Sequence, residues 1–447
     1  MQSAEIVSSR RLWGIGRICA VAAVVGIALL SRGSMVHAQV PLDICGCTNN
    51  PASLGDVDAA NLTAAQQQVM VRGFRTLDIQ LPPDGVLVFD SLNLRWAPNE
   101  SCCLTVTFTR SVANSPATLL VKGNVTIPSS VTVMLSGEQG TDASQNVLGV
   151  GGRGGPGGFR GNDGAYQLVN FATAGGTGLG PGGGAGSSIN HNAGGFGAGG
   201  TFVGATDLLP LIGGSGGGGG ASTSNAPGCA GGGGGGGGGA LLIAANGTIQ
   251  IDGQIVADGG RYGSLGGSAA CTSFGGPGSG GAIRLLAYTI QGNGQVYARG
   301  GQAAVGPSGA NGSIRLEALN NTLQVGATTP LATRAPGPGP IVNVITPTVA
   351  ITSVGGQPVP SPPQGGLGIV DLVLPIPGST SVGLATSGVP TGTTVNVTVK
   401  PRVGGAPIST PVTLTSCDPN GACLASVSFD LAAGAYFVEA RATFQTP

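Results

Sequence analysis

The chain has 447 residues, of which 86 are glycine, while charged residues make up only 9% and aromatic residues 4%. Its 19 basic and 19 acidic side chains cancel to a formal net charge of zero, so the basic excess that nucleic-acid binding requires is missing. Glycine keeps no three-residue repeat over a long stretch, which excludes a collagen-like protein. The hydrophobic fraction of 41% is too high for a wholly disordered chain, and the length predicts two or three domains.

Residues 1–38 have the pattern of a signal peptide. Three arginines between positions 10 and 17 precede the apolar run Ile18–Leu30, which has the length of a signal-peptide core and is shorter than the roughly 20 residues of a membrane span. Small residues before and at Ala38 predict cleavage there, so that the mature chain begins at Gln39. We therefore expect an exported protein, secreted or held at the cell surface, with no transmembrane span in its mature chain.

Eight cysteines follow the predicted cleavage site, and an even number in an exported chain favours disulfide bonds. We predict that the first pair bonds to the second pair, the fifth cysteine to the sixth, and the seventh to the eighth. A zinc site formed by the first four is the alternative, but one residue or none between paired cysteines is not the usual zinc spacing. The eight are Cys45, Cys47, Cys102, Cys103, Cys229, Cys271, Cys417 and Cys423.

The first part of the mature chain is predicted to form a capping segment followed by a β domain. Residues 39–85 are expected to form an N-terminal capping segment, with a short helix over Thr63–Arg72. Residues 86–329 are expected to form a glycine-rich β domain, because apolar residues alternate with threonine in stretches such as Leu104–Phe108, a pattern typical of strands.

A glycine block occupies residues 149–239 of this domain and includes nine consecutive glycines, Gly231–Gly239. A flexible linker of that composition is one interpretation. However, the apolar run Leu208–Ile212 interrupts the block, and a linker has no need of such residues. We therefore predict that the block is ordered, with its backbone N–H and C=O groups bonded to neighbouring segments, because extended polyglycine chains have no internal hydrogen bonds.

Three segments align with one another after the glycine stretches: Ala240–Ala245, Ala282–Ala287 and Ser313–Ala318. Each is followed by a second match, at Thr248, Thr289 and Thr322, and the first two share a third, at 253–260 and 294–301. In a strand, alternate residues of each segment face the same side. The shared apolar face is Leu241, Ile243 and Ala245 with their aligned partners Ile283, Leu285, Ala287, Ile314, Leu316 and Ala318.

Short aligned units of this kind cannot bury an apolar face alone, but stacked units can. The predicted fold class is therefore all-β, a parallel β-helix-like solenoid with long glycine-rich insertions that adopt a polyglycine II conformation. A β-sandwich built from the same strands is the alternative.

The end of the chain is predicted to form a separate domain. Residues 330–347 are rich in proline and form a semi-rigid linker. Residues 348–447 contain five clear strand candidates with turn signals between them, close to the number in an immunoglobulin-like β-sandwich. The cysteine and tryptophan signature of antibody domains is absent.

The mature chain has few residues that are candidates for catalysis. Its single histidine, His191, lies among glycines, where a loop residue is expected. Asp252 and Asp258 are the best candidates for a pair of catalytic carboxylates. Their counterparts one unit later are Asn293 and Arg299, which favours ordinary turn residues. No metal site or cofactor is predicted.

The glycine-rich segments around Gly280–Leu285 resemble those of glycine-rich, parallel-β-helix-like exported surface proteins of bacteria, some of them adhesin-like. The run Gly231–Gly239 is similar to the polyglycine II bundles of certain phage tail adhesins and receptor glycine-rich domains. The resemblance implies surface display, adhesion or a scaffolding role, and it carries no site residues with it.

The expected function is that of an exported, non-enzymatic structural or adhesive protein that presents glycine-rich loops on a rigid β scaffold. Its expected partner is a cell-surface or extracellular polysaccharide or protein. Two alternatives stay open: a polysaccharide-active enzyme on the β-helix, and a cell-envelope scaffold that docks a partner through residues 348–447.

Overall fold

In the computed structural model, Leu42–Pro447 forms one compact unit. The predicted signal peptide lies outside the described residues. The protein is essentially all-β, with two short 3-10 helices, Gln66–Gln68 and Val325–Ala327, in the part described. The structure describes residues 43–96, 103–144, 147–165, 173–188, 195–222, 230–264, 273–303, 306–339, 348–360, 371–374, 377–401, 406–418 and 422–442.

Sixteen strands lie between residues 43 and 339 of the described chain. They are β1 (Asp56–Asp58), β2 (Met70–Arg72), β3 (Thr76–Gln80), β4 (Val86–Phe89), β5 (Ser91–Asn93), β6 (Leu104–Thr109), β7 (Ala117–Val121), β8 (Val125–Ile127), β9 (Val131–Met134), β10 (Ala240–Ile251), β11 (Gln254–Val256), β12 (Ala282–Gln291), β13 (Gln295–Tyr297), β14 (Ser313–Asn321), β15 (Thr328–Thr329) and β16 (Thr333–Ala335).

These strands form two sheets that do not close on themselves. Sheet A has nine parallel strands in the order β1-β5-β8-β10-β12-β14-β16, with β7 joining β4 to β10. Sheet B has seven strands in the order β15-β13-β11-β9-β6-β3-β2. All neighbours in sheet B are parallel except β2 and β3. Successive strands of the chain therefore often lie in different sheets: β10 and β12 are in sheet A, and the strands that follow them, β11 and β13, are in sheet B.

The three aligned segments of the sequence pair directly in sheet A. Ala240 is opposite Ala282, and Ala282 is opposite Ser313, so the pairing register matches the sequence alignment. The predicted apolar face is the buried one: all nine of its residues belong to one core cluster, which also includes Ile255 and Val296 of sheet B. Burying this shared face is the main source of stability for parallel strands that could not fold singly.

The nine glycines Gly231–Gly239 run through the centre of a hydrogen-bonded lattice. Every N–H in the run donates to a backbone carbonyl, and every C=O accepts a backbone N–H, with N···O distances between 2.7 and 3.1 Å. The donor bonds go to three segments in rotation, 135–141, 159–165 and 273–279. The accepted bonds come from 149–155, from 214–220, and from Gly260, Gly263 and Ala282. The prediction of an ordered block with bonded backbone groups is confirmed here.

Residues 348–442 form two antiparallel sheets that share one apolar core, which includes Val382, Val397 and Phe429. The sheet orders are β18-β17-β19-β23-β22 and β21-β20-β24. The strands are β17 (Thr348–Val354), β18 (Gln357–Pro358), β19 (Gly378–Ser387), β20 (Thr394–Pro401), β21 (Ile408–Thr413), β22 (Ser416–Cys417), β23 (Cys423–Leu431) and β24 (Tyr436–Ala442).

The helix predicted over residues 63–72 is correct for one short turn only and wrong in its extent. Only Gln66–Gln68 is helical, as one 3-10 turn, and Met70–Arg72 is the strand β2. Met70 is fully buried, and β2 pairs antiparallel with β3. Burial of that methionine and the edge pairing outweigh the weak helix propensity of so short a segment.

The predicted pairing of the first four cysteines is also wrong. Cys45 and Cys47 bond to each other, with a Cα–Cα distance of 5.0 Å, and Cys103 is bonded to a partner that is neither of them. Gly46, between the two, has φ +57°, a conformation that glycine adopts without strain and that closes this small ring. The predicted bond Cys417–Cys423 is confirmed, while Cys102, Cys229 and Cys271 lie outside the described residues.

Candidate binding face

The side of sheet B that points away from the core carries a straight column of uncharged polar side chains. Successive pairings in neighbouring strands place one such residue opposite the next. Each is half-buried or exposed, and their side chains make no hydrogen bond within the described chain. The column, in order across the sheet, consists of Thr76, Thr105, Thr132, Gln254 and Gln295.

A second column lies two residues further along the same strands and is partly apolar. It includes Met134, which is 40% exposed, Val256, which is only 8% exposed, and the half-buried Tyr297 opposite Val256. The Arg299 guanidinium lies 4.1 Å from the centre of the Tyr297 ring. On β3, next to the edge strand β2, Asp78 accepts hydrogen bonds from neighbouring polar side chains, including Thr107 at 2.9 Å. We call the two columns together the open face.

The corresponding outer side of sheet A is covered, which distinguishes the two sheets. Ile44 and the Cys45–Cys47 disulfide pack against Leu120 and Leu286. Leu208 is 1% exposed and packs on Ala240 and Ala282. Sheets made of parallel strands usually have both faces covered, so the exposure of sheet B is the exception in this fold.

A buried ion cluster also lies on the covered side of sheet A. Glu317 (1% exposed) accepts hydrogen bonds from Arg284 (3% exposed) at 2.8 Å and from Arg315 at 2.6 Å. The Gly339 N–H donates to its other oxygen at 2.6 Å. Burial alone would raise the pKa of Glu317, but these three donors outweigh burial and hold the pKa below its ordinary value. The cluster fastens residue 339 to strands β12 and β14.

Asp252 and Asp258, the predicted carboxylate pair, each have partners in the next aligned unit. Asp258 accepts two hydrogen bonds from the Arg299 guanidinium, at 2.9 and 2.6 Å, and one from its backbone N–H at 2.7 Å. Asp252 accepts bonds from the Gln250 amide at 2.8 Å and the Asn293 N–H at 3.2 Å. The partners Arg299 and Asn293 link the carboxylates to the next aligned unit, whereas the Gln250 bond is local to the same stretch of chain.

The remaining chemistry predicted from the sequence is limited in the described chain. His191 lies outside it. Among the residues described, no three His, Cys, Asp or Glu side chains are grouped so as to hold a metal ion. No helix in this part of the chain is long and apolar enough to span a membrane.

The open face was not anticipated from the sequence. Its signal was nevertheless present, since Gln254 and Gln295 occupy the same place in the two units that share a third match. What could not be read was that Thr76, Thr105 and Thr132 continue the same column, because their strands belong to segments without that alignment.

Comparison with known proteins adds no relative: no family model, curated protein or solved structure matches this chain.

Proposed function

We propose that this chain is an exported, non-enzymatic structural or adhesive protein, built as a parallel β solenoid that a polyglycine II bundle stiffens. The observation that carries the proposal is the bonding of Gly231–Gly239. All nine N–H and all nine C=O groups are bonded, and the bonds rotate among neighbouring segments with a period of three residues. A period of three is that of an extended polyglycine or polyproline helix.

Strands that alternate between the two sheets support a solenoid. β10 in sheet A is followed by β11 in sheet B, and β12 by β13, with parallel pairing throughout these strands. One core lies between the two sheets. Each stretch of chain then forms one coil, and the glycine segments extend from the coils into the bundle.

In this proposal the glycine block stiffens the protein as a packed bundle, in place of presenting exposed loops. A set of exposed loops would present side chains, but the bonded glycines are buried, and a Cβ atom at Gly235 would lie 2.1 Å from the carbonyl oxygen of Gly260. Close packing of backbone on backbone supports a stiffening role. Recognition then falls to side chains on the β scaffold.

For residues 348–442 we propose an immunoglobulin-like arrangement. The order β17-β19-β23-β22 in one sheet, with β20 next to β24 in the other, follows the strand order of such sandwiches. Cys417–Cys423 then closes a loop at one edge and does not bridge the two sheets.

The proposed function predicts that the protein binds cell envelopes without cleaving polysaccharides, and this can be tested directly. Mature protein is incubated with isolated cell envelopes of the source organism and with a panel of soluble polysaccharides. The bound protein is measured by co-sedimentation, and released sugars are measured by mass spectrometry. We expect retention on the envelopes without new sugar fragments. Release of fragments, or absence of any retention, would contradict the proposal.

A further inference from the structure

We propose that the open face of sheet B binds an extended, neutral polysaccharide whose chain lies across the strands, along the polar column. This inference rests on the proposed adhesive function and names the ligand class and the surface that takes it.

The spacing of the column suits a linear polymer. Its five residues lie on five successive strands, β3, β6, β9, β11 and β13, in direct register. Neighbouring strands are about 4.8 Å apart, so the four steps span about 19 Å. A linear polymer with a repeat close to the strand spacing can meet the same kind of side chain at each step, and a chain of hexopyranose units is such a polymer.

The chemistry of the side chains suits a sugar. Threonine hydroxyls and glutamine amides each both donate and accept hydrogen bonds, as sugar hydroxyls do. Beside them lie the exposed, apolar Met134 and the half-buried Tyr297, whose ring has the Arg299 guanidinium 4.1 Å from its centre. Sugar rings have hydroxyl groups at the rim and apolar C–H groups on their faces, so one ring can contact both columns. A small polar recess of about 90 Å³, lined by Asn293, Gln295 and Gln324 among others, lies at the end of the column.

The charge of the open face favours a neutral polymer. The five residues of the polar column carry none. Asp258, at the border of the face, is neutralised by Arg299, which leaves Asp78 as the charged group of the second column, held by hydrogen bonds from Thr107, Thr109 and Gln80. A lone carboxylate repels uronate or sulfated polymers, whereas a neutral glycan meets no such penalty.

The test compares two pairs of glutamines in the same coils. The variant Gln254→Ala/Gln295→Ala removes two amides from the open face. The matched control, Gln250→Ala/Gln291→Ala, removes two amides from sheet A that bond each other at 2.7 Å. Kd is measured by calorimetry with hexasaccharides of the malto, cello, xylo and chito series, and with polygalacturonate and dextran sulfate. Melting curves verify that both variants fold.

We expect at least one neutral hexasaccharide to bind, and the charged polymers not to. Loss of two hydrogen bonds should weaken binding about ten-fold in the open-face variant and less than two-fold in the control. Equal effects of the two variants, or preference for a charged polymer, would overturn the inference. If no neutral glycan binds while envelope retention persists in both variants, the open face is not the binding surface, although the adhesive function survives.

Discussion

The Asp258 carboxylate lies against the Arg299 guanidinium, 41 residues further along the chain, with N···O distances of 2.9 and 2.6 Å. The Arg299 backbone N–H donates a hydrogen bond to the other carboxylate oxygen at 2.7 Å. The hydrogen bonds that the Arg299 guanidinium donates to Asp258 raise the pKa of Arg299 above its ordinary value. Two aligned units of the sequence are thus fastened to each other by a pair whose members hold equivalent positions in those units.

Substitution Asp258→Asn separates a structural from a catalytic role. The ion pair is partly exposed, with Arg299 41% and Asp258 19% accessible, so we expect the variant to lose no more than about 1 kcal/mol of stability. Glycan release should be indistinguishable from that of the unmodified protein. An activity present in the latter and lost in both Asp258→Asn and Asp252→Asn would restore the enzymatic alternative.

Substitution Gly235→Ala tests the packing of the glycine lattice. The added Cβ would meet the carbonyl oxygens of Gly260 at 2.1 Å and Arg261 at 2.6 Å, and both belong to backbone that cannot give way cheaply. We expect a loss of about 3 kcal/mol in the free energy of unfolding, measured in urea.

Gly326→Ala is the matched control for that experiment. Nothing lies within 4 Å of a Cβ added at Gly326, so its effect should stay within about 1 kcal/mol. If the two variants are equally stable, the close backbone contacts around Gly235 are not those of the folded protein.

The Glu317 cluster makes stability depend on pH in a defined direction. Because hydrogen bonds from Arg284, Arg315 and Gly339 keep the folded pKa of Glu317 below 4.5, the contribution of Glu317 is fully present above about pH 4.5. It is lost as the pH falls through the lower folded value. At neutral pH, Glu317→Gln leaves Arg284 buried beside a neutral amide, and we expect a cost of about 3 kcal/mol.

The measurement is the unfolding free energy of both proteins between pH 7 and pH 3. The difference between wild type and Glu317→Gln should narrow as the pH falls. A difference that is constant or widens over this range would show that Glu317 is not held ionised by its neighbours.

Disulfide mapping distinguishes the observed cysteine pairing from the one expected from the sequence. Trypsin cleaves after Arg72, Arg95 and Arg110, which leaves Cys45 and Cys47 together in one peptide and Cys102 and Cys103 in another. Without reduction we expect the first peptide to be two mass units lighter than its reduced form and not linked to the second. A linked pair of peptides would contradict the Cys45–Cys47 bond.

Much of the β framework could be read from the sequence because its signal is local and repeated. The alignment of Ala240, Ala282 and Ser313 became the pairing register, since parallel strands stacked in register repeat the same apolar face. The same logic found four of the eight strands described from residue 348 onward, β17, β20, β23 and β24, and wrongly placed a strand at 369–373, whose described residues 371–373 are not in a strand. It missed β19 (Gly378–Ser387), whose small residues give little alternation of hydrophobicity.

The open face and the lattice neighbours could not be predicted in detail, because both depend on which distant segments meet. Nothing in the sequence of the run Gly231–Gly239 indicates that one glycine N–H bonds to the carbonyl of Glu138 and the N–H before it to the carbonyl of Gly276. Likewise, Cys45 forms a disulfide with Cys47 because Gly46 permits a turn between them. The number of cysteines in the sequence does not reveal this pairing.

Hydrogen exchange of Gly231–Gly239, followed by mass spectrometry, tests the central claim that the glycine block is a bonded, rigid bundle. If all nine amides are held in the lattice, they should exchange as slowly as those of the adjoining strand β10 and open only with global unfolding. Exchange of these amides within seconds, at the rate of an unstructured chain, while β10 stays protected would show that the block is a flexible linker.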